Sequence, residues 1–290
     1  TTMALIYLEG FEGLAPEFIS GGTNPNQVVC EDYLRSIYSG RFTFGTSRFH
    51  LRRGQDGRST CLGTGIAAGA SFCWIGKYFT PVTSGSVIVG LRIKFSASAK
   101  SGTEILRLTG DSNPTAAEAK LVMTATNQIQ IQKGGAGSVV ATSAANVFDA
   151  DSWHYLEYKT DFNTSGTGSY EVKIDGVSIL SGTASTAVTA GSSPAGMSLY
   201  SPDNTTDTYA EITMYDDWYI CDTTGSVNND FLGPLKIEDL SPDGAGNSAD
   251  WSPKTPGNPN YGEVDETPVD FEATYIHSNT TGNKDTYTLE

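Results

Sequence analysis

The sequence predicts an all-β sandwich. Three observations carry this reading. Short runs rich in Val, Ile, Tyr, Phe and Thr recur through the first 233 residues, separated by Gly, Asn, Asp and Ser. Several of these runs alternate apolar and polar residues with a period of two. No stretch shows a sustained helical period, and no regular repeat points to a propeller or solenoid. At 290 residues the chain suits one large β domain plus an appendage, or two small domains. It can bury a core without disulfides or metals.

The elements follow in order. Ala4 to Leu8 is a short β-prone run that stops at Gly10. Ala70 to Thr80 is aromatic and partly alternating. Ser86 to Ser96 is the strongest strand: Val87, Val89, Leu91, Ile93 and Phe95 share one face, Arg92 and Lys94 the other. Glu104 to Thr109 is a further strand. Thr115 to Lys120 is the best short helical candidate. Lys120 to Thr126 and Gln128 to Gln132 read as a hairpin about Asn127. Trp153 to Thr160 alternates, with Trp153, Tyr155 and Glu157 opposite His154, Leu156 and Tyr158. Tyr170 to Ile174 and Val177 to Leu180 form a hairpin on Asp175-Gly176, residues that accept the positive φ of a two-residue turn. Gly196 to Tyr200 and Tyr209 to Cys221 complete the sandwich. Asn229 to Leu232 reads as a single turn, and Pro234 to Leu240 as one more strand.

Beyond residue 233 the character changes. Ser241 to Pro268 is rich in Pro, Gly, Asn, Asp and Ser and cannot bury a core of its own. The division expected is therefore a sandwich over 1–233 and an extended C-terminal arm over 234–290. The arm carries isolated strands and the aromatic anchors Trp251, Tyr261, Phe271, Tyr275 and Tyr287.

Charge and cysteine usage narrow the function. Lys and Arg number 18 and Asp and Glu 33, so the formal net charge is 18 − 33 = −15. Phosphate affinity comes from Lys and Arg, so generic nucleic-acid binding is disfavoured. The cysteines are Cys30, Cys61, Cys73 and Cys221, with no CxxC pair, which argues against a zinc ribbon or redox site; the even count permits disulfides, but free thiols are the expectation. The first residues lack the basic and apolar regions of a signal peptide. No apolar run approaches the roughly 20 residues of a membrane helix, so a soluble product made in the cytoplasm is expected.

Two sets of motifs carry resemblances. Ser152-Trp-His-Tyr-Leu-Glu-Tyr, followed by Gly168 to Val177 with its Asp-Gly hairpin, resembles the central strands of concanavalin A-like (laminin-G type) jelly rolls. The passage Asp216 to Ile237 is similar to the last sandwich strand and connector of a group of tailed-phage virion proteins. So are Leu240 to Gly246, Ala249 to Pro253, Asn260 to Pro268 and Tyr275 to Asn279. The first resemblance implies a jelly-roll sandwich. The second implies a non-enzymatic structural component of a phage particle, a tail fibre, baseplate adhesin or head decoration. Such a protein would assemble in the bacterial cytoplasm as a homo-oligomer with other virion proteins, and a host surface glycan would be a further partner. Nucleic acid and membrane insertion are not expected. A carbohydrate-binding module using Trp74, Tyr200 or Trp218 is the first alternative, and a polysaccharide depolymerase the second.

Candidate chemistry is sparse. The paired carboxylates of jelly-roll glucanases, Glu-x-Asp-x-x-Glu on one strand, are absent; Glu263, Asp265 and Glu266 lie in the Pro-rich arm. Asp216 and Asp217 are adjacent, so on a strand they point to opposite faces; a structural role near the sandwich rim is expected. No Gly-x-Ser-x-Gly elbow occurs. Of His50, His154 and His277, His154 reads as structural, and Gly134 to Gly137 reads as an inter-strand loop. No cofactor is expected, with calcium as the single candidate: Asp203, Asn204 and Asp207 gather hard oxygens in one loop, Asp149 and Asp151 in another. Arg41, Arg48, Arg52, Arg53 and Arg58 cluster among Phe42, Phe44, Phe49 and His50, a composition suited to carboxylates and anionic glycans. With Trp251, Tyr261, Phe271 and Tyr275 they are the expected partner or glycan contacts. The sequons at Asn163, Asn204 and Asn279 have no meaning in a bacterial host.

Overall fold

A computed structural model describes residues 4–10, 47–53, 60–66, 73–95, 102–111, 113–201, 211–238, 240–265 and 274–289. These form strands β1 (Leu5–Glu9), β2 (Ser47–Arg53), β3 (Thr60–Ile66), β4 (Cys73–Tyr78), β5 (Val87–Phe95) and β6 (Thr103–Gly110). There follow β7 (Asn113–Met123), β8 (Ile129–Lys133), β9 (Ser138–Thr142), β10 (Trp153–Thr160), β11 (Gly168–Ile174) and β12 (Val177–Ala184). Strands β13 (Pro194–Ser201) and β14 (Glu211–Asp222) close the sandwich. The described residues contain no α-helix.

Two antiparallel sheets face each other. One has the order β12-β11-β10-β5-β14-β3-β2, with β1 also paired to β14; the other runs β4-β13-β6-β7-β8-β9. The expected jelly-roll sandwich is therefore what the chain forms. The core lies between the sheets. The alternating face of β5 (Val87, Val89, Leu91, Ile93 and Phe95) meets Leu106, Leu108, Leu121, Ile131, Met197 and Leu199 from the six-stranded sheet. Leu156 and Tyr158 of β10 also point inward, as their alternation requires. Trp218 is fully buried, with Tyr7 edge-on at 5.3 Å. It is a core residue and cannot stack on a sugar, as the binding-module alternative had it.

Two elements differ from expectation. Thr115 to Lys120 is not a helical turn but part of the 11-residue strand β7. Ala, Glu and Lys favour helix intrinsically, yet β6 and β8 both bond to this segment and impose the extended form. Of the expected strand Pro234 to Leu240, residues 234–238 form none. Leu235 instead packs into an apolar cluster on the outside of the eight-stranded sheet, with Ile88, Tyr155, Tyr219, Cys221, Leu5, Phe231 and Leu232. Asn229 to Leu232 forms no helical turn and belongs to the same covering segment.

Polar anchors fix this cover. Arg92 bonds Asp217 through Nε at 2.8 Å and donates to the Leu235 carbonyl at 3.0 Å. Asp217 also accepts the Ile237 amide at 2.7 Å. It sits at a β-bulge in β14 with a φ of 46°, a left-handed conformation that re-aims its side chain. Asp217 thus has the structural role expected for it. This segment covers the outer face of the eight-stranded sheet where β1, β5, β10 and β14 lie.

The last residues pair among themselves. Strand β15 (Pro242–Ala249) pairs with β18 (Asp285–Leu289), and β16 (Ser252–Pro253) with β17 (Ile276–His277). A 3-10 turn spans Asn260–Glu263. Asp285 is the local hub, accepting the Trp251 amide at 2.9 Å and the Tyr287 hydroxyl at 3.0 Å.

Candidate functional site

The outer side of the six-stranded sheet carries the candidate site. On the outside of the six-stranded sheet a polar row crosses neighbouring strands. Ser198 of β13 pairs with Arg107 of β6, Arg107 with Lys120 of β7, and Lys120 with Gln132 of β8. Paired residues in antiparallel strands share a face, and strands lie about 4.8 Å apart. Four side chains therefore line up over roughly 15 Å. Gln130, one step along β8, accepts from the Gln132 amide and donates to Thr142 Oγ1 at 3.1 Å.

A β-bulge adds a carboxylate. Glu104 and Arg107 are three residues apart, so on a regular strand they would face opposite ways. The register slips between Glu104 and Leu106, which places Ile105 as the extra residue and turns both charges outward. Glu104 then grips Arg107 with both oxygens, Oε1 at 2.7 Å from Nε and Oε2 at 3.1 Å from an Nη. Lys120 Nζ stands 3.5 Å from the same carboxylate. Glu104 and Lys120 are only 8% and 9% exposed. This is a desolvated charge cluster and not a solvated surface, a setting in which binding and acid–base groups occur.

Both ends of the row have shaped surroundings. Gly196 of β13 pairs with Tyr78 of β4. A Cβ at Gly196 would lie 2.8 Å from Tyr78 Cδ1, so the missing side chain is what lets the Tyr78 ring lie across β13. At the other end the β8–β9 turn, Gly134 to Gly137, reaches over Lys120, whose Nζ lies 3.4 Å from the Gly135 carbonyl oxygen. That turn is an inter-strand loop, as its sequence suggests.

The residues singled out in the sequence lie elsewhere. Arg48, Arg52 and Arg53 belong to β2, an edge strand of the eight-stranded sheet; Arg41 and Arg58 fall outside the described residues. Trp251 and Tyr275 are 37% and 41% exposed in the C-terminal region. The Tyr275 ring meets His277 edge-on at 6.0 Å with Lys254 Nζ 5.2 Å from its centroid. Tyr261 is half-buried in the 3-10 turn, and Phe271 lies outside the described residues. Asp203, Asn204 and Asp207, the calcium candidates, also lie outside them. Among the described residues no group of three or more His, Cys, Asp or Glu is placed to hold a metal ion. His154 is structural: Asp175 takes its Nδ1 at 2.7 Å and the Asp149 amide donates to Nε2 at 3.1 Å. Cys221 is a free, buried thiol whose burial, with Asp222 and Glu157 nearby, raises its pKa to about 12. Glu104, Arg107, Lys120, Gln130 and Gln132 were not singled out, because only the bulge and the register bring them together.

No protein-family model matches the chain, and no curated protein matches it. Among solved structures it is similar in shape to an endo-β-1,4-glucuronan lyase from the fungus Trichoderma reesei, with 10% identity, 63% of this chain and 92% of that chain covered, and a TM-score of 0.48. Alginate lyase Aly36B with an alginate trisaccharide is similar at 11% identity, 76% and 99% coverage and a TM-score of 0.47. The cellulose-induced protein Cip1 is similar at 11%, 62% and 91%, and 0.46. These findings overturn the expectation of a non-enzymatic phage structural component. None of the three carries the name of a virion component. Among the described residues no helix is long and apolar enough to cross a membrane.

Proposed function

We propose that the protein is a carbohydrate-active β-sandwich that engages a polysaccharide across the outer face of its six-stranded sheet. The observation that carries this reading is the row Ser198–Arg107–Lys120–Gln132 on four adjacent strands, with the Tyr78 ring laid over Gly196 at its flank. Hydroxyl, guanidinium, ammonium and amide groups in line match the repeated hydroxyls of an extended sugar chain. An aromatic face beside them supplies apolar area for a pyranose ring. On the other outer face, Phe231, Leu232 and Leu235 cover the apolar cluster at its centre.

Chain cleavage is the second reading. It is favoured by Glu104 and Lys120, a carboxylate and an ammonium held 3.5 Å apart with little exposure.

Affinity electrophoresis through gels containing neutral and acidic polysaccharides tests binding. Retardation of the wild-type protein is expected on at least one polymer and is expected to fall in the Gln130→Ala/Gln132→Ala variant without loss of thermal stability. Equal mobility of both proteins in every gel would overturn the proposal. Release of reducing ends, or ultraviolet absorbance from unsaturated ends, would add cleavage to binding.

A further inference from the structure

Lys120 is an under-coordinated buried cation. An ammonium has three donors, and those of Lys120 reach only the Gly135 carbonyl at 3.4 Å and Glu104 at 3.5 Å. Among the described residues it has no closer acceptor, although it is 9% exposed. Arg107, by contrast, has its fork filled by Glu104 at 2.7 and 3.1 Å. Arg107 and Lys120 both lie against the Glu104 carboxylate.

From this we infer that Glu104 is a specificity-determining residue, an internal stand-in for a carboxylate carried by the ligand. The inference rests on the saccharide reading of this face. A planar carboxylate fits a guanidinium fork bidentately, and Glu104 already shows that fit. An incoming carboxylated sugar can take the unfilled side of Lys120 and compete with Glu104 for Arg107. A neutral sugar can do neither, because it cannot replace the charge that Arg107 loses. Glu104 therefore sets a threshold: it keeps the cations paired in the free protein and yields them only to a ligand with its own carboxylate. The bulge at Ile105 makes the device possible, since without it Glu104 would point into the core.

The test measures dissociation constants for polyglucuronate, polygalacturonate and a neutral β-glucan, with wild-type protein, Glu104→Gln, Glu104→Asp and Lys120→Met. Wild type is expected to prefer the acidic polymers. Glu104→Gln, which removes the competing charge at constant shape, is expected to tighten acidic binding about ten-fold, as loss of one charged competitor of about 1.4 kcal/mol would. Its affinity for the neutral polymer should change less than that for the acidic ones. Lys120→Met should abolish acidic binding. Glu104→Asp, a shorter carboxylate, should fall between wild type and Glu104→Gln, and it serves if the amide variant does not fold. If wild type binds an acidic polymer and Lys120→Met loses it, but the Glu104 variants bind as wild type does, the stand-in role is wrong and the saccharide face survives. If no variant binds any polymer, the face itself is misassigned and the inference falls with it.

Discussion

Tyr219 and Glu157 meet on the outside of the eight-stranded sheet, the phenol hydroxyl donating to the carboxylate at 2.5 Å. The same Glu157 oxygen accepts the Gly233 amide at 2.9 Å, and the Tyr219 oxygen accepts the Leu232 amide at 3.1 Å. Glu157 is fully buried. One carboxylate thus ties the sheet to the segment that covers it. Glu157→Ala would leave two buried donors without an acceptor, at about 1–3 kcal/mol each. A loss of about 3 kcal/mol in urea unfolding is expected, together with faster proteolysis between residues 226 and 238. Glu157→Gln keeps an acceptor oxygen and should lose less. Equal stability of Glu157→Ala and wild type would show that the apolar cluster alone holds the cover.

The same region predicts alkaline sensitivity. Burial raises the pKa of Tyr155, Tyr158 and Tyr219 far above the usual tyrosine value, and Glu157 adds to the shift for Tyr155 and Tyr219. In the unfolded chain these phenols ionise near pH 10. The folded state keeps its protons where the unfolded state loses them. Their contribution is complete below about pH 10 and is lost as pH rises beyond it. Each phenol lowers stability by up to about 1.4 kcal/mol per pH unit in that window. Urea midpoints measured across it should fall steeply, and ultraviolet titration of the folded protein should leave these three tyrosines un-ionised.

Much of the fold was legible because burial writes itself as alternation. β10 has the limits read from its sequence, and its Leu156 and Tyr158 face inward opposite Tyr155 and Glu157. The Asp175-Gly176 turn has φ values of 52° and 79°, as its residues require. Where local preference and tertiary pairing conflict, the sequence misleads. Thr115 to Lys120 has helix-forming residues but two strand neighbours. Pro234 to Leu240 has strand-like apolar spacing, yet Leu235 and Ile237 serve to dock a cover: Leu235 joins the apolar cluster, and Ile237 packs against Gly10 and bonds Asp217. The site was illegible for a different reason. Glu104 and Arg107 share a face only through an inserted residue, and Lys120 and Gln132 join them only through register. No spacing rule within one strand reports either event.

Gly196 offers a test of the site that leaves its charges alone. A Cβ there would approach Thr109 Oγ1 to 2.5 Å and Tyr78 Cδ1 to 2.8 Å. Gly196→Ala must therefore displace both the Thr109 hydroxyl and the Tyr78 ring. Overpacking of this kind costs about 1–3 kcal/mol. Polysaccharide affinity is expected to fall together with stability, and Tyr78→Ala, which in the double variant removes the ring but leaves the Thr109 contact, should restore part of the stability and none of the affinity. Recovery of both would show that the ring contributes nothing to binding.

The C-terminal region should respond to acid instead of alkali. Burial of the Asp285 carboxylate would by itself raise its pKa, but donation from the Trp251 amide, the Asn260 side chain and the Tyr287 hydroxyl outweighs it and holds the group below the usual aspartate value. Glu263 behaves alike: its partial desolvation is outweighed by Asn258 at 2.7 Å and the Thr255 amide at 3.3 Å. For a depressed carboxylate the stabilisation is present above the unfolded pKa, near 4, and is lost as pH falls through the lower folded value. Pairing of β15 with β18 is therefore expected to weaken in acid well before the sandwich core, whose inward-facing cluster among the described residues is apolar. Tyr287, raised to about 12 by burial and by Asp285, remains a donor throughout. NMR following the Trp251 amide from about pH 6 to about pH 2 should show its shift collapse with a single midpoint below 4. In Asp285→Asn the transition should disappear, since the amide cannot titrate. A shift that moves unchanged in Asp285→Asn would assign the acid response to another carboxylate.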